Sequence, residues 1–425
     1  MKKIFIVFSL SILFGSIAAQ QVARDKVVVE IATGTWCGYC PGAAMGADDL
    51  VENGHDVAIV EYHNGDAYTN VYSNARNAYY NVTGYPSARF DGILVVPGGS
   101  TNQSMYPQYL PRYNQRIAIP SSFSIDIEGT NSGLIDYDVT ITIEKVASAG
   151  SNIVLHAVVT ESEIEENWQG QTHLNFVERL MAPNQYGTSL DFSGGNTVEV
   201  NINFSLEDGW VSDHCELVVF IQDLSSKEIL QGSKRALTEF GSTTQYDASI
   251  QSLFNVGEEN CTGFMTPNII IRNNGNENMT NLDVKYYVNN GALSSYSWAG
   301  NLGYLETDEI NLPEIIFFVE EENFLQVYTE NPNGNPDQYP QNDTASIAFS
   351  QAITQSSPIH LLLRLDGAPE ETTFDLLNSV GDTLYAGGPF TGQPFLFITE
   401  TFNLPMNDCY IFTIRDAGGN GLCCE

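Results

Sequence analysis

Two cysteines spaced as Cys37-Gly38-Tyr39-Cys40, just after an apolar run, constrain this chain more than any other stretch. The run Val27-Val28-Val29-Glu30-Ile31-Ala32 reads as a buried strand. Thr33-Gly34-Thr35 turns the chain, and Ala43, Ala44, Met45, Ala47 and Leu50 read as a helix that opens right after Cys40. Cysteines three positions apart at a helix start lie on one face of its first turn. Their sulfurs can close a small disulfide ring or open to a dithiol. The unpaired N–H groups and positive dipole end of the helix stabilise a thiolate there. Cys37 is therefore expected as the exposed nucleophile and Cys40 as the deeper, resolving thiol. A zinc site is disfavoured, because no second CxxC or paired histidine follows at ligand spacing. A static disulfide remains the alternative.

Further on, Val82-Thr83-Gly84-Tyr85-Pro86-Ser87-Ala88-Arg89-Phe90-Asp91-Gly92 reads as a turn, a proline and a strand. Together with Trp36-Cys37-Gly38-Tyr39-Cys40-Pro41, this makes the span 26–120 resemble the thioredoxin superfamily. The resemblance implies that Pro86 is cis and faces the WCxxC motif, with Tyr85 and Pro86 holding substrate backbone beside Cys37. It also implies a buried acid near the resolving thiol, late in the strand before the motif. Glu30 is the only acid at 27–32, so it takes that place; a strand-end carboxylate facing water is its other reading. Trp36 and Tyr39 join the substrate-binding candidates, Tyr39 as a stacking platform or simply an exposed tyrosine. His63, past a strand end near the mouth of the site, is expected as an exposed loop histidine, with proton transfer as its other reading. If the sulfurs lie under packed side chains, or the bond before Pro86 is trans and turned away, the enzymatic reading should be dropped.

Compartment follows from residues 1–19. Lys2-Lys3 is a short basic head, the run at 4–17 is too short to span a bilayer comfortably, and Ser16-Ile17-Ala18-Ala19 supplies small residues for cleavage. This reads as a signal peptide, so the chain is expected to be exported: outer membrane, cell surface or secreted. The compartment is oxidising, and the five further cysteines are available for structural disulfides. A formal net charge of −35 repels phosphate backbones and excludes nucleic acid as a partner. No cofactor or metal is called for.

At 425 residues the chain exceeds one core, and roughly three or four domains are expected. The thioredoxin-like span is set at 24–120, with a closing helix at 105–117 broken by Pro107 and Pro111. From 121 to 240, segments at 122–127, 136–143 and 153–160 alternate apolar and polar residues between Gly, Asn and Ser clusters, the mark of a β-sandwich. This pairing, with His173-Leu174-Asn175-Phe176-Val177-Glu178-Arg179, resembles a family of Gram-negative thioredoxin-like outer-membrane proteins. Asp213-His214-Cys215-Glu216 invites a metal reading, but neighbours on a strand point to opposite faces. The span 245–350 resembles the cell-adhesion-related immunoglobulin-like domain of bacterial surface proteins, which implies spacing or binding work. The span 357–425 resembles a small C-terminal β domain of secreted bacterial proteins and is read as truncated. There Cys409 is expected to pair with Cys423 or Cys424, while the pairing of Cys215 and Cys261 stays open. Asp416, Asn420 and Gly421 partly match a calcium loop, but Gly418 stands where a ligand should be.

The expected architecture is thus an N-terminal α/β thioredoxin-like domain followed by all-β, Ig-like sandwiches. The leading reading is an exported thiol-disulfide oxidoreductase acting on protein thiols or disulfides. The alternative is a surface binding or adhesion protein, with a surface ligand or protein partner for the β domains and the thioredoxin-like part as scaffold.

Overall fold

A computed structural model describes residues 20–405, 408–419 and 421. The expected signal peptide, Cys423 and Cys424 lie outside the described residues, as does Asn420. The chain is multidomain and mostly strand, and its compact units divide between Thr243 and Thr244.

The first unit opens with β1 (Val27–Thr33), α1 (Cys40–Glu52), β2 (Val57–His63), α2 (Val71–Tyr79), β3 (Ser87–Phe90), β4 (Leu94–Pro97) and α3 (Tyr106–Ile117). β1 runs parallel to β2 and antiparallel to β3, which turns back into β4. Strand parity decides what lies on each side. Val27, Val29, Ile31, Val57 and Ile59 pack with Ala43, Ala47 and Leu50 of α1 and with Tyr109 and Tyr113 of α3. The alternate residues Val28, Ala58, Val60 and Tyr62 face the other way, where Tyr72 of α2 packs. Asn70 caps α2, accepting from the backbone N–H groups of Tyr72 and Ser73, while Ser73 accepts from the N–H of Asn70. α3 is a continuous helix despite Pro111, its buried face carried by Tyr109, Tyr113 and Arg116.

The rest of this unit is β: β5 (Phe123–Ser132), β6 (Asp136–Lys145), β7 (Ile153–Glu161), β8 (Ile164–Trp168), β9 (Gln171–Leu174), β10 (Val177–Ala182), β11 (Thr188–Ser189), β12 (Thr197–Ser205), β13 (Cys215–Asp223), β14 (Ile229–Ala236) and β15 (Gly241–Ser242). The boundary expected at 120 is no break. One sheet runs β14-β13-β7-β10-β2-β1-β3-β4, with Val177 of β10 paired in parallel to Glu61 of β2. β12, β6, β5 and β15 form a second sheet, and the core between them holds Ile141, Ile143, Leu155, Val159, Leu217 and Val219. β7 is buried on both faces, not half-exposed as its expected alternation implied. Its second face meets Val28, Ala58 and Val60 across Val158, so no side is left for water. Buried ion pairs tie the two spans as well. Arg24 and Arg116 both reach the Asp91 carboxylate, at 3.1 and 2.8 Å, and Arg116 also reaches Glu228 at 2.6 Å.

The second unit holds a five-stranded sheet built on Met279–Val288 and Glu322–Glu330, with a three-stranded sheet around Asn268–Asn273. Ile269, Ile271, Val284, Tyr286, Leu325 and Val327 form their core. Shorter sheets follow, Ile359–Arg364 with Phe397–Phe402, and Thr372–Leu377 between Thr383–Gly387 and Ile411–Asp416. Cys409 pairs with Cys261, 148 residues earlier, which corrects the pairing expected with Cys423 or Cys424. The fold brings the two ends of a long span together, a proximity no local spacing reveals. Asp416 spends both carboxylate oxygens on the backbone N–H groups of Gly418 and Gly421, as a turn does without an ion. Among the described residues, no helix is long and apolar enough to cross a membrane.

Candidate functional site

Cys37 and Cys40 are joined as a disulfide, with Cα atoms 5.4 Å apart. The turn that presents them is held by its backbone. Cys37 N–H donates to the Gly34 carbonyl at 3.0 Å, and Thr35 N–H donates to the Asp66 carboxylate at 2.8 Å. A Cβ at Gly34 would stand 2.7 Å from Trp36 Nε1 and 2.8 Å from the Asn64 carbonyl, so only glycine fits. Cys40 opens α1, Pro41 follows within the first turn, and no acidic residue offsets the positive helix end there.

The Tyr85–Pro86 bond is cis. The loop through Gly99 passes so close between Tyr39 and Pro86 that a Cβ would lie 2.1 Å from the Tyr39 carbonyl and 2.8 Å from Pro86 Cγ. The proline and the CxxC turn are thus brought to one place. Trp36 and Tyr39 are the exposed aromatics beside them, 53% and 62% accessible, and the Trp36 ring meets Tyr85 edge-on at 5.7 Å. Trp36 Nε1 donates to the Asn64 carbonyl.

Three expectations need correction. Cys37 is not exposed: it retains 4% of its accessible surface and Cys40 none. Both sulfur residues pack in one apolar cluster with Trp168, Leu174 and Val177, edged by Tyr68, Tyr85 and Ile164. The cover is the β8–β9 hairpin, which sequence reasoning did not single out. Its local signal was Trp168-Gln169-Gly170-Gln171, a turn with Gly170 at positive φ, but nothing local says where a hairpin docks.

Glu30 is not the acid beneath the disulfide. As an even-numbered residue of β1 it shares a face with Val28 and faces away from α1. There it pairs with Arg76, Nε at 2.9 Å and Nη2 at 2.5 Å, and accepts from Tyr80 OH at 2.5 Å. Arg76 also donates to Gln222 at 3.1 Å, so this is a buried structural tie from α2 to β13. The acid on the α1 face is Glu61, opposite Ile31 in the ladder. Burial pushes its pKa well above the usual range, and the nearby Asp48 adds to the shift. Only the parity of β2 relative to α1 reveals this, and that parity is set by the tertiary fold.

His63 is not a loop histidine in water; it is 1% exposed, and its Nδ1 lies 2.7 Å from Asp66 Oδ2. Burial raises the Asp66 pKa, but hydrogen bonds from His63 and from the N–H groups of Thr35 and Tyr68 outweigh it and hold the carboxyl below its ordinary value. His63 therefore braces the turn that carries Trp36 and Cys37. Cys215 is a free thiol, buried and pushed up to about 12 by burial and by Glu161. His214 reaches Glu163 at 3.3 Å instead. Among the described residues, no cluster of three or more His, Cys, Asp or Glu is arranged to hold a metal ion.

No family model matches the chain, and no curated protein matches it. Solved structures do. HBP35 of Porphyromonas gingivalis aligns over 69% of this chain and all of its own, at 15% identity and a TM-score of 0.44. A domain of the outer membrane lipoprotein Omp28, also from Porphyromonas gingivalis, aligns over 29% of this chain and 92% of its own, at 12% identity and a TM-score of 0.23. The CARDB domain of the PF1109 protein from Pyrococcus furiosus covers 26% of this chain and 92% of its own, at 16% identity and a TM-score of 0.22. Likeness at this level describes shape and carries no conclusion about activity.

Proposed function

We propose that the chain is an exported thiol-disulfide oxidoreductase, with a thioredoxin-like α/β portion carried on surface β domains. One observation carries the reading: a CxxC disulfide at the N-terminus of α1, packed beside a cis proline and flanked by exposed aromatic rings. The order β2-β1-β3-β4, with α1 and α3 on one face and α2 on the other, supports the thioredoxin-like assignment.

In the reducing direction, the Cys37 thiolate attacks one sulfur of a substrate disulfide and the other leaves as a thiolate. The Cys40 thiolate then attacks the Cys37 sulfur, releases the substrate as a dithiol and regenerates the Cys37–Cys40 bond. Two electrons pass to the substrate. Run in reverse, a substrate dithiol reduces the pair and is itself oxidised. Tyr85 and Pro86 would hold the substrate backbone beside Cys37, with Trp36 and Tyr39 on either side.

A second reading has its own observation. The pair is buried under Trp168, as a static disulfide would be and as the sequence expectation set against an enzyme, although the bond before Pro86 is cis; β domains make up most of the chain. In that case the protein is a non-catalytic surface binding or adhesion protein. Replacing Cys37 with Ser separates the two. The oxidoreductase reading expects reduction of a protein disulfide such as insulin's to fall to background; turnover equal to the parent chain would refute it.

A further inference from the structure

We infer that the β8–β9 hairpin is a gate over the Cys37–Cys40 site, closed in this structure, and that a polypeptide substrate must displace it to reach Cys37. The inference rests on the redox reading for its purpose, but not for its geometry.

The hairpin pairs only with itself, as a separate two-stranded sheet, although it sits beside the nine-stranded one. Its apolar hold on the rest of the unit comes from one cluster, while polar ties, Asn175 to Asp48 at 2.8 Å and His214 to Glu163 at 3.3 Å, anchor its roots. Ile164, Trp168 and Leu174 join the apolar cluster around the two cysteines. Gln169 Nε2 at the tip donates to the Thr35 carbonyl at 3.3 Å, two residues before Cys37. Tyr68 OH donates to Glu166 at 3.1 Å. A polar cavity of about 450 Å³, lined by Asp48, Glu163, Glu165, His173, Asn175 and His214, borders the hairpin. Every residue that lines this cavity is polar.

Both roots are suited to act as pivots. Glu163 and Phe176 have φ of 56° and 57°, left-handed values that a non-glycine residue keeps only where its surroundings hold it. Glu163 N–H donates to the Asn175 side chain at 2.8 Å, and Phe176 N–H to Ser162 Oγ at 3.0 Å. The moving part is therefore bounded: two strands and a turn between two fixed points, closed by Trp168, Leu174 and Ile164 and by two side-chain hydrogen bonds. Trp168 packs in one cluster with Cys37 and Tyr85, so an extended peptide laid against Cys37 competes with the indole.

The test measures how fast tris(2-carboxyethyl)phosphine reduces Cys37–Cys40 in the full exported chain. Quenched samples are labelled with maleimide and read by peptide mass spectrometry, so that Cys261–Cys409 is scored separately. Trp168→Ala is expected to raise the rate at least tenfold. The milder double variant Tyr68→Phe with Gln169→Ala, which cuts only the two hydrogen bonds, is expected to raise it several-fold with an unchanged melting curve. That second variant serves if Trp168→Ala does not fold. Rates equal to the parent chain in the folded variants would overturn the gate. If reduction accelerates but the parent and variants never turn over a protein disulfide, the gate stands and the redox reading falls. If Cys37→Ser abolishes turnover while the hairpin variants change nothing, the reverse holds.

Discussion

Glu30 shows how one residue's meaning turns on which face of a strand it occupies. Its carboxylate and the Arg76 guanidinium are both buried, 1% and 3% accessible, and each satisfies the other. Removing one partner strands the other charge in the interior, which costs far more than an exposed pair contributes. Glu30→Gln is expected to destabilise the first unit by about 3–5 kcal/mol, read as a shift in its denaturant midpoint. A catalytic Glu30 would instead leave the midpoint in place and lower turnover. Glu61 sits one strand over, on the α1 face, where burial pushes its pKa well above the usual range. Val60-Glu61-Tyr62 looks in sequence like any strand end, so its side chain is assigned only once α1 is packed.

Among elements, the second unit holds buried acids of its own in Asp247 and Asp343. Asp343 lies among Asp337 and Asp247, and burial followed by these two neighbours pushes its pKa up to about 8. Asp247 is pushed up to about 6, by burial first and then by Asp337. A carboxyl with a raised folded pKa holds its proton more tightly in the native state than in the unfolded one. Its stabilising contribution is therefore full below the ordinary value near 3.8 and is lost as pH climbs through the folded value. The second unit is expected to lose thermal stability steadily from pH 4 to pH 8.5, and Asp343→Asn is expected to flatten that slope. Calorimetry of the full exported chain across this range checks it; a transition that rises with pH, or an unchanged slope in the variant, would contradict the assignment. The hairpin obeys a similar logic of placement: its strands and turn are written locally, whereas its docking over two cysteines is not.

At the scale of the molecule, what was legible in the sequence was local chemistry. The strand at 27–33, the helix opening at Cys40, the turn before Pro86 and the strands after 121 follow from periodicity and from glycine and proline placement. What was not legible depends on distant segments meeting. The pairing of β10 with β2 fuses two expected domains into one sheet, and β7 is buried twice over because of it. Cys261 finds Cys409 across 148 residues. Cys37 is shielded by a tryptophan 131 positions away, so exposure at a helix start, sound as a local expectation, was overridden by tertiary packing. The proposed oxidoreductase activity requires these two sulfurs to exchange with a visiting protein despite that cover. Trapping tests it most directly: Cys40→Ser removes the resolving thiol, and the full chain is expressed in an exporting cell, quenched in acid and resolved without reductant. Protein adducts joined through Cys37 are expected, more abundant when Trp168→Ala is added, and absent from Cys37→Ser. A Cys37 that stays unattached to any protein in both backgrounds would contradict that exchange.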